Sequence, residues 1–269
     1  MKDFKGKNVL ITGGSSGIGL ALAEKFTSFS ANVWILARTE KRLDSALQLL
    51  ESKKVTENQN IVKIQADVSN FQNLKKILEK VISINGIPDL LINSAGVAYP
   101  GEFLKMDPAV FNDVISINYL GTVYTTKIVA PFMVQNKSGY IVNISSLAGV
   151  VPIYGYSAYA PSKYAINAFS KIIKTELTPY NIKISVVYPP DTDTPQLEFE
   201  NSIKPAITKA ITQGGGLLSA SSVADVIIKG ITKEKFTIIP GLEGKLLKAF
   251  SPLVGNVLHL FALQKTKKM

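Results

Sequence analysis

The chain has no cysteine and a single histidine, His259, among its 269 residues. The first absence excludes disulfides, a thiolate nucleophile and cysteine-based metal sites. The second excludes a multi-histidine metal centre, so no bound metal is expected. Proton transfer near neutral pH must then fall to Tyr, Lys, Asp or Glu. Long apolar runs are missing as well. No stretch of roughly 18 residues is free of polar interruption, as a plain membrane-spanning helix requires. The opening "MKDFKGKNVLITGG" lacks the basic, apolar and small-residue regions of a secretory signal. A cytoplasmic protein is the expectation.

Charged residues make up 19% of the chain against 46% hydrophobic, which suits a packed globular core. The charge that is present is lopsided, with a net value of +10. A solvated lysine-rich face, an anionic cofactor or an anionic membrane surface accounts for it. No zinc-finger pattern or aromatic RNA-binding motif accompanies it, so nucleic acid is not an expected partner.

Short β-rich runs alternate with stretches of helical period. "NVLITG", "NVWILAR", "NIVKIQADV", "PDLLINSAG", "GYIVNISS" and "IKISVVYP" read as six strands. Between them lie helices such as "NLKKILEKVISI", with Leu74, Ile77, Leu78, Val81 and Ile82 on one face. Val- and Ile-rich strands separated by helices predict one α/β domain over residues 1–269, a doubly wound parallel sheet covered on both faces. The variable segments are expected after about residue 190.

"TGGSSGIG" sits between the first strand and the first helix. Gly13 permits a tight turn, Gly17 lets the backbone approach a pyrophosphate, and Gly19 allows close helix packing. With Ser15, Ser16 and Ile18 they form a loop whose helix N-terminus suits phosphate. The end of the second strand separates the two nicotinamide dinucleotides, because an acidic residue there would bind a free ribose 2′-hydroxyl. This chain instead has Arg38, followed by Lys41 and Arg42. Guanidinium groups suit a 2′-phosphate, which favours NADPH/NADP+.

"YAPSK" places Tyr159 and Lys163 one helical turn apart. The Lys163 ammonium is expected to favour the phenolate and bring the phenol towards the working pH. Ser146, at the end of the fifth strand, is placed to present a hydroxyl to a carbonyl oxygen.

Taken together, the glycine loop, "NSAG" (Asn93, Ala95 and Gly96 within it), Asn118, Ser146 and the Tyr159–Lys163 pair resemble the short-chain dehydrogenase/reductase family. The resemblance spans roughly residues 5–195 and implies a Rossmann-like fold. It implies that Tyr159 protonates a carbonyl oxygen as hydride arrives, while Lys163 holds the nicotinamide ribose and Ser146 orients the carbonyl. Asn118 would anchor a proton-relaying water, "NSAG" would line the cofactor, and Asp67 with Val68 would meet the adenine. Two departures are Ser94 in place of a common alanine and Pro161 between Tyr159 and Lys163, tolerable where a helix begins.

The stretch "YPPDTDTP" follows the sixth strand with three prolines in eight residues. Within the family it resembles the 3-ketodihydrosphingosine reductases, which reduce 3-oxosphinganine to sphinganine with NADPH. That resemblance implies a long-chain lipid ketone as substrate and places Pro189, Thr192 and Thr194 beside the nicotinamide end, with the threonine hydroxyls offered to the cofactor. Asp191 or Asp193 either meets the substrate's amine or simply caps the next turn. The segment over about 190–218, with Leu197, Phe199, Ile203 and Ile207 apolar, reads either as a helical lid or as a helix packed on the core. The segment 245–269, apolar on a wide face, basic at its ends and broken by Pro252 and Gly255, is read as an interfacial membrane contact or as dimer or core packing. His259 lies in it as a packing or surface residue. Family resemblance also implies a homo-oligomer. Two rival readings remain: a broader reductase of acyl, steroid or retinoid ketones, and a non-catalytic NADPH-binding scaffold.

Overall fold

The computed structural model describes residues 3–212 and 216–266. Residues 213–215 of the expected lid and 267–269 of the expected tail lie outside the described residues. In chain order come β1 (Asn8–Thr12), α1 (Gly17–Ser28), β2 (Asn32–Ala37), α2 (Glu40–Ser52), β3 (Ile61–Gln65) and α3 (Phe71–Asn85). Then follow β4 (Leu90–Asn93), α4 (Pro108–Ile115), α5 (Gly121–Gln135), β5 (Gly139–Ile144), α6 (Tyr159–Leu177) and β6 (Ile182–Val187). The last third adds β7 (Thr192–Asp193), α7 (Pro195–Ile203), α8 (Ala206–Thr212), β8 (Leu218–Ser219), α9 (Ala220–Thr232), β9 (Thr237–Ile238), α10 (Leu242–Ala249) and α11 (Ser251–Thr266).

Seven strands form one sheet in the order β3-β2-β1-β4-β5-β6-β9, and every pairing is parallel. Side chains alternate across it. Val9 and Ile11 enter one apolar layer with Leu22, Phe26 and Leu43, while Leu10 enters the other with Leu74, Leu78 and Val129. Burying each such side chain contributes about 1.5–3 kcal/mol, and here helices cover both faces. This is a Rossmann-like sheet in a single domain, as the alternating pattern predicts.

Strand order reverses between β1 and β4, so a crevice opens above their carboxyl ends. Gly13 turns the chain there with φ +68, and an added Cβ would lie 2.9 Å from the Ala95 backbone. A side chain at Gly19 would meet the Gly13 carbonyl oxygen at 2.3 Å. Both glycines are required by this close approach.

Three details depart from the sequence reading. A seventh strand, β9, pairs with β6; only two residues long and followed by Pro240, it has too little period to be read. The helix expected through Asn118 is interrupted by a π-helical turn, Ser116–Leu120, between α4 and α5. The tail is broken not at Pro252 and Gly255 but between Ala249 and Ser251; Gly255 lies inside α11. Its two helices meet at 92°.

Candidate active site

A cavity of about 630 Å³ runs from the glycine loop, past the ends of β5 and β6, to the C-terminal helices. Its first wall is Gly13, Ser16, Gly17, Ile18 and Gly19. Ser16 precedes α1 in extended conformation and makes no capping hydrogen bond. By contrast α3, α4, α7 and α9 are capped by Asn70, Asp107, Thr194 and Ser219. The uncapped first turn of α1 leaves amide donors for an anion, so this loop fits a dinucleotide's phosphates. Ser15 stands outside the cavity wall.

The next wall holds Ser146, Tyr159, Lys163 and Gly96. Helix α6 begins at Tyr159, so Pro161 falls in its first turn, where the missing N–H costs nothing. The Lys163 ammonium donates to the Ile144 carbonyl at 3.1 Å and lies 5.5 Å from the Tyr159 ring centre. A Cβ on Gly96 would sit 3.3 Å from Asn118 Oδ1 and 3.4 Å from Lys163 Nζ, which places those two groups side by side.

Asn118 is fully buried behind this wall. Its Oδ1 accepts from the Val97 N–H at 2.8 Å, and its Nδ2 donates to the Val97 carbonyl and to Ser162 Oγ, each at 2.9 Å. The Asn118 side chain therefore clamps the loop after β4 onto α6. A relay through Asn118 would use its main-chain carbonyl, which takes the Thr122 hydroxyl at 2.8 Å.

Burial raises the Tyr159 phenol well above its ordinary value, and the charge of Glu200 raises it further. Ser146 and Gln196 act in the opposite direction, by hydrogen bonding. Burial lowers the Lys163 ammonium to about 8, with the charge of Glu200 opposing.

At the far end of the glycine loop, Arg38 Nη1 stands 3.7 Å from Asp67 Oδ2. Arg38 and Arg42 are both exposed. Burial pushes the Asp67 carboxyl up, but the Ser69 hydrogen bonds and then Arg38 outweigh it and hold it below its ordinary value. The two residues expected at the 2′-phosphate and the adenine thus share one corner. Val68 is buried in the core, and Asn93 donates inward to Thr126 Oγ1 and Asn143 Oδ1, at 3.0 and 2.8 Å. Of "NSAG", Ser94 and Gly96 reach the cavity wall, whereas Asn93 and Ala95 do not.

Pro189, Pro190, Asp191, Thr192 and Thr194 form the wall after β6. The threonine hydroxyls turn back onto their own loop: Thr192 donates to the Pro190 carbonyl at 2.8 Å, and Thr194 donates to the Thr192 carbonyl at 3.1 Å. With their protons engaged inside the loop, these hydroxyls can meet a cofactor only as acceptors. Asp191 is paired with the buried Lys204, Oδ2 to Nζ 3.6 Å, and Asp193 is exposed.

The expected lid is two helices, α7 and α8, divided at Lys204 and Pro205. Leu197 faces the cavity and Ile207 is buried, while Phe199 is exposed against Tyr99. Between them the helix delivers Glu200, 7% exposed, into the cavity wall. Sequence reasoning missed it, since the two glutamates in "QLEFENS", Glu198 and Glu200, read alike as a solvated helix face. Leu247, Val254 and Leu258, from α10 and α11, close the far end. His259 is exposed.

Residues 7–204 match the short chain dehydrogenase family model. A 3-ketodihydrosphingosine reductase of Dictyostelium discoideum is 37% identical over 93% of this chain and 79% of its own length. A 3-dehydrosphinganine reductase of Danio rerio is 34% identical over 92% of this chain and 75% of its own. Among solved structures, a short chain dehydrogenase/reductase from Burkholderia phymatum in complex with NAD superposes with a TM-score of 0.83 at 23% identity, covering 97% of this chain and 96% of that one. With its parallel sheet, its uncapped glycine loop and this extent of likeness, the chain belongs to the short chain dehydrogenase family and is an oxidoreductase.

Proposed function

We propose that the chain reduces 3-oxosphinganine to sphinganine with NADPH. The family works with a nicotinamide dinucleotide, and relatives 34–37% identical over most of the chain bear the name of that activity. One observation carries the substrate class. The Tyr159, Ser146 and Lys163 end of the cavity opens directly onto an apolar end lined by Leu147, Leu197, Leu247, Val254 and Leu258. A polar head with a long chain suits that shape.

When bound, the cofactor supplies hydride to the carbonyl carbon. Tyr159 Oη gives its proton to the carbonyl oxygen, and Ser146 Oγ holds that oxygen in line. Lys163 holds the ribose through its ammonium and supports the charge that develops on Tyr159. Gly13, Ser16, Gly17 and Gly19 hold the phosphates on α1. Arg38 would hold the 2′-phosphate, and Asp67 beside it would meet the adenine.

A second proposal concerns place. Leu246, Phe250, Leu253, Val257, Leu260 and Leu263 are exposed along α10 and α11, with Lys245 and Lys265 exposed beside them. Among the described residues no single helix is long and apolar enough to cross a membrane. The surface suits a peripheral position on an anionic, cytosol-facing membrane.

The test is purified protein with NADPH and 3-oxosphinganine, read by mass spectrometry. Sphinganine should appear, and Tyr159→Phe should lower kcat by about 10²–10⁴-fold. No sphinganine, with other ketones reduced well, overturns the reading.

A further inference from the structure

We propose that Glu200 is the residue that selects an amine-bearing ketone, by receiving the ammonium on the carbon next to the reacting carbonyl. This rests on the function proposed above and adds a specificity residue to that site.

Glu200 is held in the cavity wall by neutral donors alone. Tyr156 Oη donates to its Oε2 at 2.5 Å, and Gln196 Nε2 donates to its Oε1 at 3.0 Å. A carboxylate offers about four lone-pair directions, so acceptor capacity remains. Among the described residues it has no lysine or arginine within salt-bridge distance, whereas the neighbouring Asp191 has Lys204. This carboxylate in the cavity wall, with acceptor capacity left and no salt-bridge partner, points to a cation delivered from outside.

Its position suits the substrate. An amine on the carbon adjacent to the carbonyl stays two bonds from the reacting carbon, so its acceptor must lie near the proton donor. The Tyr156 ring, whose hydroxyl bonds Glu200, is centred 5.6 Å from the Tyr159 ring. Glu200 is thus one aromatic ring away from Tyr159 and lines the same cavity. Its charge reaches both reacting groups, raising the Tyr159 phenol after burial has done so and opposing the burial of Lys163. A substrate ammonium would offset that charge, so the right substrate also eases the loss of the Tyr159 proton. Asp191 is already neutralised, and Asp193 lies outside the cavity wall.

The experiment compares kcat/KM for 3-oxosphinganine with that for the same long-chain hydroxyketone lacking the 2-amino group, both with NADPH. The wild-type protein should favour the amino ketone. Glu200→Gln, which keeps shape and a hydrogen bond to Tyr156, should lower the ratio on the order of 10- to 100-fold, the worth of one charge-assisted hydrogen bond. If that variant does not fold, Glu200→Asp carries the same test, and its ratio should fall between the wild-type value and one. A ratio unchanged in the folded variant, or a wild-type ratio near one, overturns the role of Glu200. Failure of the wild-type protein to reduce 3-oxosphinganine at all overturns the proposed function instead.

Discussion

Lys163 carries a charge that burial has made conditional. Its ammonium is lowered to about 8 from an ordinary value of 10.5, so above that pH the folded protein holds it neutral. The cation proposed to hold the ribose is then lost as pH rises. The value of kcat/KM for NADPH should fall through about pH 8, and Lys163→Arg should move that fall upward, because a guanidinium stays charged. A flat profile to pH 10 would remove the assignment. Stability runs the other way: the cost of burying the charge is fully present below about 8 and is relieved as pH rises towards 10.5. Arg38 gives a second residue-scale expectation. Arg38→Asp should shift the NADPH-to-NADH ratio of kcat/KM towards NADH by on the order of 10- to 100-fold, the loss of one charge-assisted pair. Residues of this kind are legible when a spacing or a strand end fixes their surroundings, as for Tyr159, Lys163 and Arg38. Glu200 was not, because its burial comes from where α7 lies and not from its neighbours in the chain. Nor were the closed hydrogen bonds of Thr192 and Thr194, which depend on how a proline-rich loop satisfies its own carbonyls.

At the scale of elements, the six longer strands and their helices follow from period alone, and the structure agrees with that pattern. Breaks were harder to read. Pro252 looks like an interruption, yet it lies in the first turn of α11, where proline is at ease. The break falls just before it, between Ala249 and Ser251, so Pro252 marks the start of the second helix. That break sets α10 and α11 at 92°, with an apolar outer surface between exposed lysines. In vesicle flotation, the full chain should rise with anionic lipid, and less so at high salt. A chain ending before Lys245 should remain at the bottom. Equal flotation of the two would show that the tail is not the contact.

For the whole molecule, the sheet leaves helix α6 on one flank with Ile172, 57% exposed, on its outer side. The family resemblance implies a homo-oligomer, and Ile172 on α6 is a position at which a contact with a second copy can be tested. Light scattering after size exclusion should show a dimer or tetramer, reduced in size by Ile172→Glu with the thermal midpoint nearly kept. A wild-type monomer would overturn this. The wall made by Leu247, Val254 and Leu258 has a further consequence, since the same two helices carry the apolar outer surface. Moving a lipid chain from a bilayer into water costs ~0.8 kcal/mol per methylene, so a long-chain ketone hardly exists as a free solute. With the membrane contact proposed above, a wall on these helices would take the chain in without that crossing. The rate should then follow the mole fraction of ketone in the vesicle, not the ketone's concentration in the tube.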